Sequence, residues 1–386
     1  LDRVFPSLKE RGILQVTDRP PHRNQRTAWL SETSAGHHDH VSSLVVSPNG
    51  RSFASSSYDS TIVLWNAHQG TIEHEWVGHD GYWVNSLTFS PDSRYLLSGG
   101  DDGTLQVWDT LDGRVKQVQV LGAAGGTEDS PDLDRHDGCG WSADGMWIAS
   151  RFKTGTVHLW DGRSFHWRRT FEEPATASCR PSFSPDSRWL VWSAKLSKDS
   201  AEYFCVWDAL ALDASPRRLP AHPDDAPTHI LSFNPSSKCL VTAVHGPHLR
   251  VWDVITGAQL AVMEGHSFSI TTASFSPDGR HILSASHDGT AKVWNAKSGE
   301  CTLSLEGHKD RVDHARFSPD GNYIATASND TTVRLWRSGD GSCLATFTEH
   351  EKLLTYIVLS PDGKRLASGD IDGVVHIRDI SHIIGQ

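Results

Sequence analysis

Methionine and cysteine are scarce, with two and six residues in a chain of 386. The cysteines Cys139, Cys179, Cys205, Cys239, Cys301 and Cys343 fall one to a strand-like region, with no C-x-x-C spacing. That speaks against a disulfide framework and for small apolar core residues in a reducing compartment. There is no run of about 18 apolar residues and no signal-peptide pattern, so neither a membrane span nor secretion is expected. Positive charge is also short. Thirty-six Lys and Arg against 47 Asp and Glu leave a net −11, which argues against general nucleic-acid or anionic-membrane binding. No Gly-rich loop opens a helix, so a phosphate-binding signature is missing and no cofactor is expected. The expected location is intracellular, cytoplasmic or nuclear. The chain opens on Leu1 rather than Met, as an excised domain would.

What the sequence has in abundance is repetition. Residues 307–336 read GHKDRVDHARFSPDGNYIATASNDTTVRLW, three strand-like runs (DHARF, YIATAS, TVRLW) separated by two turns. So short a unit cannot bury both faces of its own sheet, and copies must stack. Strands ending in Trp65, Trp108, Trp160, Trp207, Trp252, Trp294, Trp336 and Arg378 mark eight copies, the last four of them 42 residues apart. Each copy carries a turn such as Ser47-Pro-Asn-Gly, Ser90-Pro-Asp-Ser or Ser276-Pro-Asp-Gly, in which Pro presets its backbone angle, Asp bonds the backbone and Gly accepts positive φ. Neighbouring repeats share one continuous core, so residues 24–386 read as a single domain preceded by an extension over 1–23. Arg26–Glu32 resembles the last strand of a repeat whose first three are missing, whereas the eighth repeat has three strands and lacks its fourth. Pairing the N-terminal strand with the last sheet closes the array and removes its open edges. The expected fold is all-β: a closed eight-bladed β-propeller of four-stranded antiparallel blades, with the N-terminal strand completing the last blade.

Gly-His, Ser-Pro-Asp-Gly and Trp-Asp or Trp-Asn at this spacing, over about residues 26–380, resemble the WD-repeat (WD40) β-propeller family. Trp108, Trp160, Trp207 and Trp252 each precede the signature Asp. Four repeats carry a spaced polar set: His37, Ser55, Asp59, Trp65; His79, Ser98, Asp102, Trp108; His266, Ser284, Asp288, Trp294; His308, Thr326, Asp330, Trp336. Ser, His and Asp together suggest a catalytic triad, but a hydrolase needs one activated nucleophile rather than a copy in each blade. The resemblance implies a structural network of Asp, His, hydroxyl and indole. Repeat eight keeps His350, Ser368 and Asp372 with Arg378 for Trp, and an Asp372–Arg378 ion pair is expected there. Repeats three to five depart further, with Thr154 and Gly246 in two Asp slots. The insertions, Gly122–Arg135, Ala194–Tyr203 and Leu210–Pro227, cluster in the same region. His37-His38-Asp39-His40 looks like a metal cluster, but no converging set of ligands can be built and no metal is expected.

The resemblance implies a non-catalytic scaffold that binds a protein or peptide at the channel mouth. The slots are the residue before each network Asp and those flanking the Val that opens each first strand. They give His40, Ser42, Tyr58, Tyr82, Trp83, Asn85, Asp101, Ser269, Thr271, His287, Arg311, Asp313, Asn329, Thr355 and Ile371, with Arg135, Lys153, His229 and His245 by looser alignment. Tyr82 and Trp83 are the leading members, because blade two has one residue more there than blades six to eight; the alternative is that Trp83 turns inward as core. Arg135 and Lys153 point to an acidic or phosphorylated partner. The rival readings are an enzyme, or a binder of a small charged ligand, using the central channel.

Overall fold

The computed structural model describes residues 34–120, 136–152, 156–172, 180–195, 202–220, 228–244 and 246–384. They form eight four-stranded antiparallel sheets, seven of them simple meanders in chain order. Blade one runs Val41–Val46, Ser52–Ser57, Thr61–Asn66 and Ile72–Val77. Blades two to seven occupy 84–120, 136–171, 182–220, 228–263, 270–305 and 312–347. Blade eight has Leu354–Leu359, Arg365–Asp370 and Val374–Asp379 from the C-terminal end of the chain. Its fourth strand is Ser34–Ala35, with Ser34 opposite Val375 and Ala35 opposite Val374. Arg26–Glu32 lies outside the described residues.

Each first strand touches the first strand of the next blade, from blade one to blade eight and back to blade one, so the eight surround a central channel. The seam between blades eight and one is packed like the others: Val41, Phe53, Val63 and Trp65 meet Ala367, Val375 and Ile377 in one buried cluster. Trp65, Trp108, Trp160, Trp207, Trp252, Trp294 and Trp336 are all buried, and each contributes roughly 1.5–3 kcal/mol or more through its apolar area. Burial falls off outward, because second and third strands are covered by neighbouring blades on both faces while fourth strands form the rim. That gradient corrects the reading of the cysteines. Cys301 and Cys343 begin fourth strands and are exposed, whereas Cys205 is buried in a third strand.

The turn after each first strand needs a left-handed residue at its fourth position, and Gly279, Gly321 and Gly363 supply it at φ 69–74°. Ser93, Ser187 and Ser237 hold the same conformation at 61–64°. Their hydroxyls accept a backbone N–H from the preceding blade's turn (Asn49, Asp144 and Asp186, at 2.9–3.0 Å), which offsets the steric cost of a side chain there.

Candidate functional site

Seven of the eight first strands, all but Ser182–Phe183 of blade four, carry a β-bulge after the opening residue, as between Val41 and Ser43, Val84 and Ser86, or Val312 and His314. A bulge leaves one residue unpaired and re-aims its side chain. The residues so placed include Ser42, Asn85, Thr271, Asp313 and Thr355. Three of them spend their hydroxyls on the neighbouring blade. The Ser42 hydroxyl donates to Val84 O, and those of Thr271 and Thr355 donate to Val312 O at 2.9 Å and Val41 O at 3.0 Å. They tie adjacent inner strands together, the last across the closing seam. Asn85 and Asp313 keep polar groups at the mouth: Asn85 Nδ2 donates to Asp101 at 2.6 Å, and Asp313 lies 3.6 Å from His287 of the neighbouring blade.

A recurring backbone bond gathers the remaining slots. The N–H groups of Tyr58, Asp101, His287, Asn329 and Ile371 donate to the carbonyls of His40, Trp83, Ser269, Arg311 and Leu353 at 2.8–3.1 Å. Each bond sets the turn between second and third strands beside the residue that precedes the first strand. In blades one and two this builds a stack of three rings across the blade boundary, His40 on Tyr58 at 4.7 Å and Tyr58 on Trp83 at 4.3 Å, nearly parallel. Trp83 does not turn inward; it is 48% exposed and Tyr82 46%. The extra residue of blade two is taken up by His79, Asp80 and Gly81, all at positive φ (54°, 47° and 86°), a conformation costly for the first two. Burial holds His40 below the ordinary histidine pKa, against the pull of Asp39, and raises the Tyr58 phenol, so both rings are neutral near pH 7.

Arg311 and His287 are exposed, Asn329 is half-buried, and Asp101, at 6% exposure, is too covered to offer much surface. Arg135, Lys153 and His245 lie outside the described residues, and of His229 only the backbone is described. Arg180 was missed by the spacing argument, because it precedes a first strand in a blade without the repeat's landmarks. It crosses from blade four over Gly138, where any side chain would strike its Cγ, and donates to the Asn85 carbonyl at 3.1 Å.

Beneath the mouth lie the spaced polar sets. In blade two the Trp108 indole donates to Ser98 Oγ at 2.9 Å, Ser98 donates to His79 Nε2 at 2.8 Å, and His79 Nδ1 donates to Asp102 at 2.9 Å. Blades six and seven repeat this through Trp294, Ser284, His266, Asp288 and Trp336, Thr326, His308, Asp330. In blade one Trp65, Ser55 and His37 are joined likewise, but His37 Nδ1 meets the Thr61 hydroxyl at 2.6 Å, which in turn donates to Asp59. Burial would raise the Asp330 carboxyl, yet bonds from Thr332, the Lys309 N–H and His308 hold it well below the usual range. The hydroxyls of Ser55, Ser98, Ser284 and Thr326 are fully buried and already accept an indole N–H, so no substrate carbonyl can reach them. Blades three and five keep the hydroxyl–indole pair through Ser150–Trp160 at 3.0 Å and Thr242–Trp252 at 2.8 Å, which the spacing of ten residues would have revealed.

Blade eight departs from the expected Asp372–Arg378 pair. His350 donates to Asp370, not Asp372, at 2.7 Å, and Asp372 is exposed beside Lys352. Arg378 takes the place of the indole, donating to Ser368 Oγ at 2.7 Å and to Glu349 at 3.1 Å. Glu349 stands where blades one, two, six and seven have Gly36, Gly78, Gly265 and Gly307. A Cβ on Gly78 would lie 2.8 Å from the Trp108 ring, so the glycine accommodates the indole, and Arg378 frees the position for its own counter-ion.

Among the described residues no group of three or more His, Cys, Asp or Glu is arranged to hold a metal, and no helix is long and apolar enough to cross a membrane. No curated protein sequence matches the chain. Among solved structures it is similar to the computationally designed Ika8 protein, with 23% identity and a TM-score of 0.74 over 91% of this chain and 99% of that one, a likeness of fold. The family model described as WD domain, G-beta repeat matches residues 30–66, 70–109, 257–295, 299–337 and 341–379, a little over half of the sequence. The chain belongs to the WD-repeat family.

Proposed function

We propose that this propeller is a non-catalytic platform that binds a protein or peptide partner across the channel mouth at blades one and two. The observation that carries this reading is the His40–Tyr58–Trp83 stack with Tyr82 beside it, an aromatic surface in which Trp83 and Tyr82 are about half exposed and are backed by the more covered Tyr58 and His40. Aromatic side chains with one polar atom dominate interface energetics, and pre-stacked rings lose little conformational freedom on binding. The partner carries an apolar or aromatic anchor for Trp83 and an acidic or phosphorylated group for the basic side of the mouth, where exposed Arg180 supplies a guanidinium and Arg135 and Lys153 fall in sequence. WD-repeat propellers generally act as interaction scaffolds, and the buried hydroxyls of the repeated sets favour this reading over an enzyme.

Affinity capture followed by measurement of the captured partner's Kd tests the proposal. Tyr82→Ala combined with Trp83→Ala should weaken binding at least tenfold, about 1.4 kcal/mol, with the melting curve preserved. Unchanged affinity in that variant, with loss on altering the Ser-Pro-Asp-Gly turns instead, would place the interface on the opposite face.

A further inference from the structure

The opposite end of the channel is built from the last residues of the first strands and the turns that follow them. There Phe233, Phe275, Phe317 and Leu359, with Pro235, Pro277 and Pro319, line an open cavity of about 420 Å³, within the roughly 300–1,000 Å³ of small-molecule sites. Its lining is otherwise apolar or hydroxylic, and Arg316 is the one ionisable side chain among the residues that form it. In the other seven blades the position of Arg316 holds Ser, Thr, Gly or Val, so the charge is a break in the repeat rather than part of it.

No described residue pairs with that charge. Among the described residues Arg316 has no hydrogen-bond or ion-pair partner, although its side chain is accessible to solvent in the channel. The channel walls hold its pKa below the usual arginine value, a cost of partial desolvation that no carboxylate offsets. His314, two residues earlier on the same strand face, is buried, and burial together with Arg316 keeps it neutral. Ser274, at the equivalent position of the neighbouring blade six, also lines the cavity, and its hydroxyl has no protein partner among the described residues. A planar guanidinium matches a carboxylate with two parallel hydrogen bonds, and in a cavity walled by phenylalanine and proline that pairing is stronger than in bulk water.

From this geometry we propose that the Ser-Pro-Asp-Gly end of the channel binds a small ligand with one carboxylate and an apolar body, the carboxylate on Arg316 and Ser274 and the body against Phe275 and Phe317. The site lies at the end of the channel away from Tyr82 and Trp83, so it stands or falls separately from the partner surface.

Calorimetric titration of the purified protein with octanoate, octanamide and acetate tests it. Octanoate should bind the unaltered protein, with octanamide and acetate at least tenfold weaker, the first lacking the charge and the second the apolar body. Arg316→Gln should weaken octanoate at least tenfold, Arg316→Lys less, and Arg311→Gln at the other mouth should leave binding unchanged. Because Arg316 makes no bond to another described residue, its variants should melt as the parent does. Failure of octanoate to bind, equal binding by Arg316→Gln, or acetate binding as tightly as octanoate would each overturn the proposal.

Discussion

At the scale of single residues, the most informative exchange is the one in blade eight. Four blades pair a buried Trp with a Gly, which in blades one and two leaves room that a Cβ would take from the ring, whereas blade eight pairs buried Arg378 with Glu349. Either half of the exchange alone should be poorly tolerated. Arg378→Trp would press the indole against Glu349, an overpacking cost of about 1–3 kcal/mol, and Glu349→Gly would leave a buried guanidinium without its counter-ion, which costs about 3–5 kcal/mol. The double variant restores the pair used elsewhere and should recover most of both losses. Denaturation midpoints of the four proteins give the coupling energy. A double variant as unstable as the sum of the singles would mean that the two positions do not sense one another.

At the scale of the blade, the same substitution leaves blade eight acid-sensitive. His376 is buried, its ring 4.4 Å from that of His350, and burial followed by the charges of Arg378 and His350 lowers its pKa from 6.5 to about 4. The unfolded chain therefore takes up this proton first as pH falls. The associated stability is fully present above about pH 6.5, declines below it, and is gone below about pH 4, amounting to roughly 3 kcal/mol. His376→Gln should flatten the fall of the melting midpoint between pH 6.5 and 4; an unaltered slope would assign the acid sensitivity to other groups. The sequence made the blade itself plain, because Trp, Gly-His and the Pro turn recur in phase. It did not make plain which Asp serves His350: the spacing rule selects Asp372, but blade eight has Asp370 where blades one, two, six and seven have Ser or Gly, and the nearer carboxylate takes the histidine. The bulge was equally hidden, since one extra residue in a first strand changes which side chains face the mouth without changing the repeat length. It is why Ser42, Thr271 and Thr355, which spacing assigns to a ligand, bond the neighbouring blade instead.

For the whole molecule, closure makes two different ends of one ring. Eight repeats were legible because each must bury its faces against the next. The ends were less so, because their character comes from positions where the repeat is broken: the additional residue before Trp83, Arg316 among small neighbours, and Arg180 reaching over Gly138. A spacing argument averages over repeats and loses such exceptions, which is where function is expected to lie. Hydrogen–deuterium exchange of the propeller with and without its captured partner tests the central claim most directly, since it maps protection over both ends at once. Binding across blades one and two predicts slowed exchange at the amides of His40, Tyr58 and residues 80–85, with the Ser-Pro-Asp-Gly turns unchanged. Protection confined to those turns, with residues 80–85 exchanging as in the free protein, would contradict it.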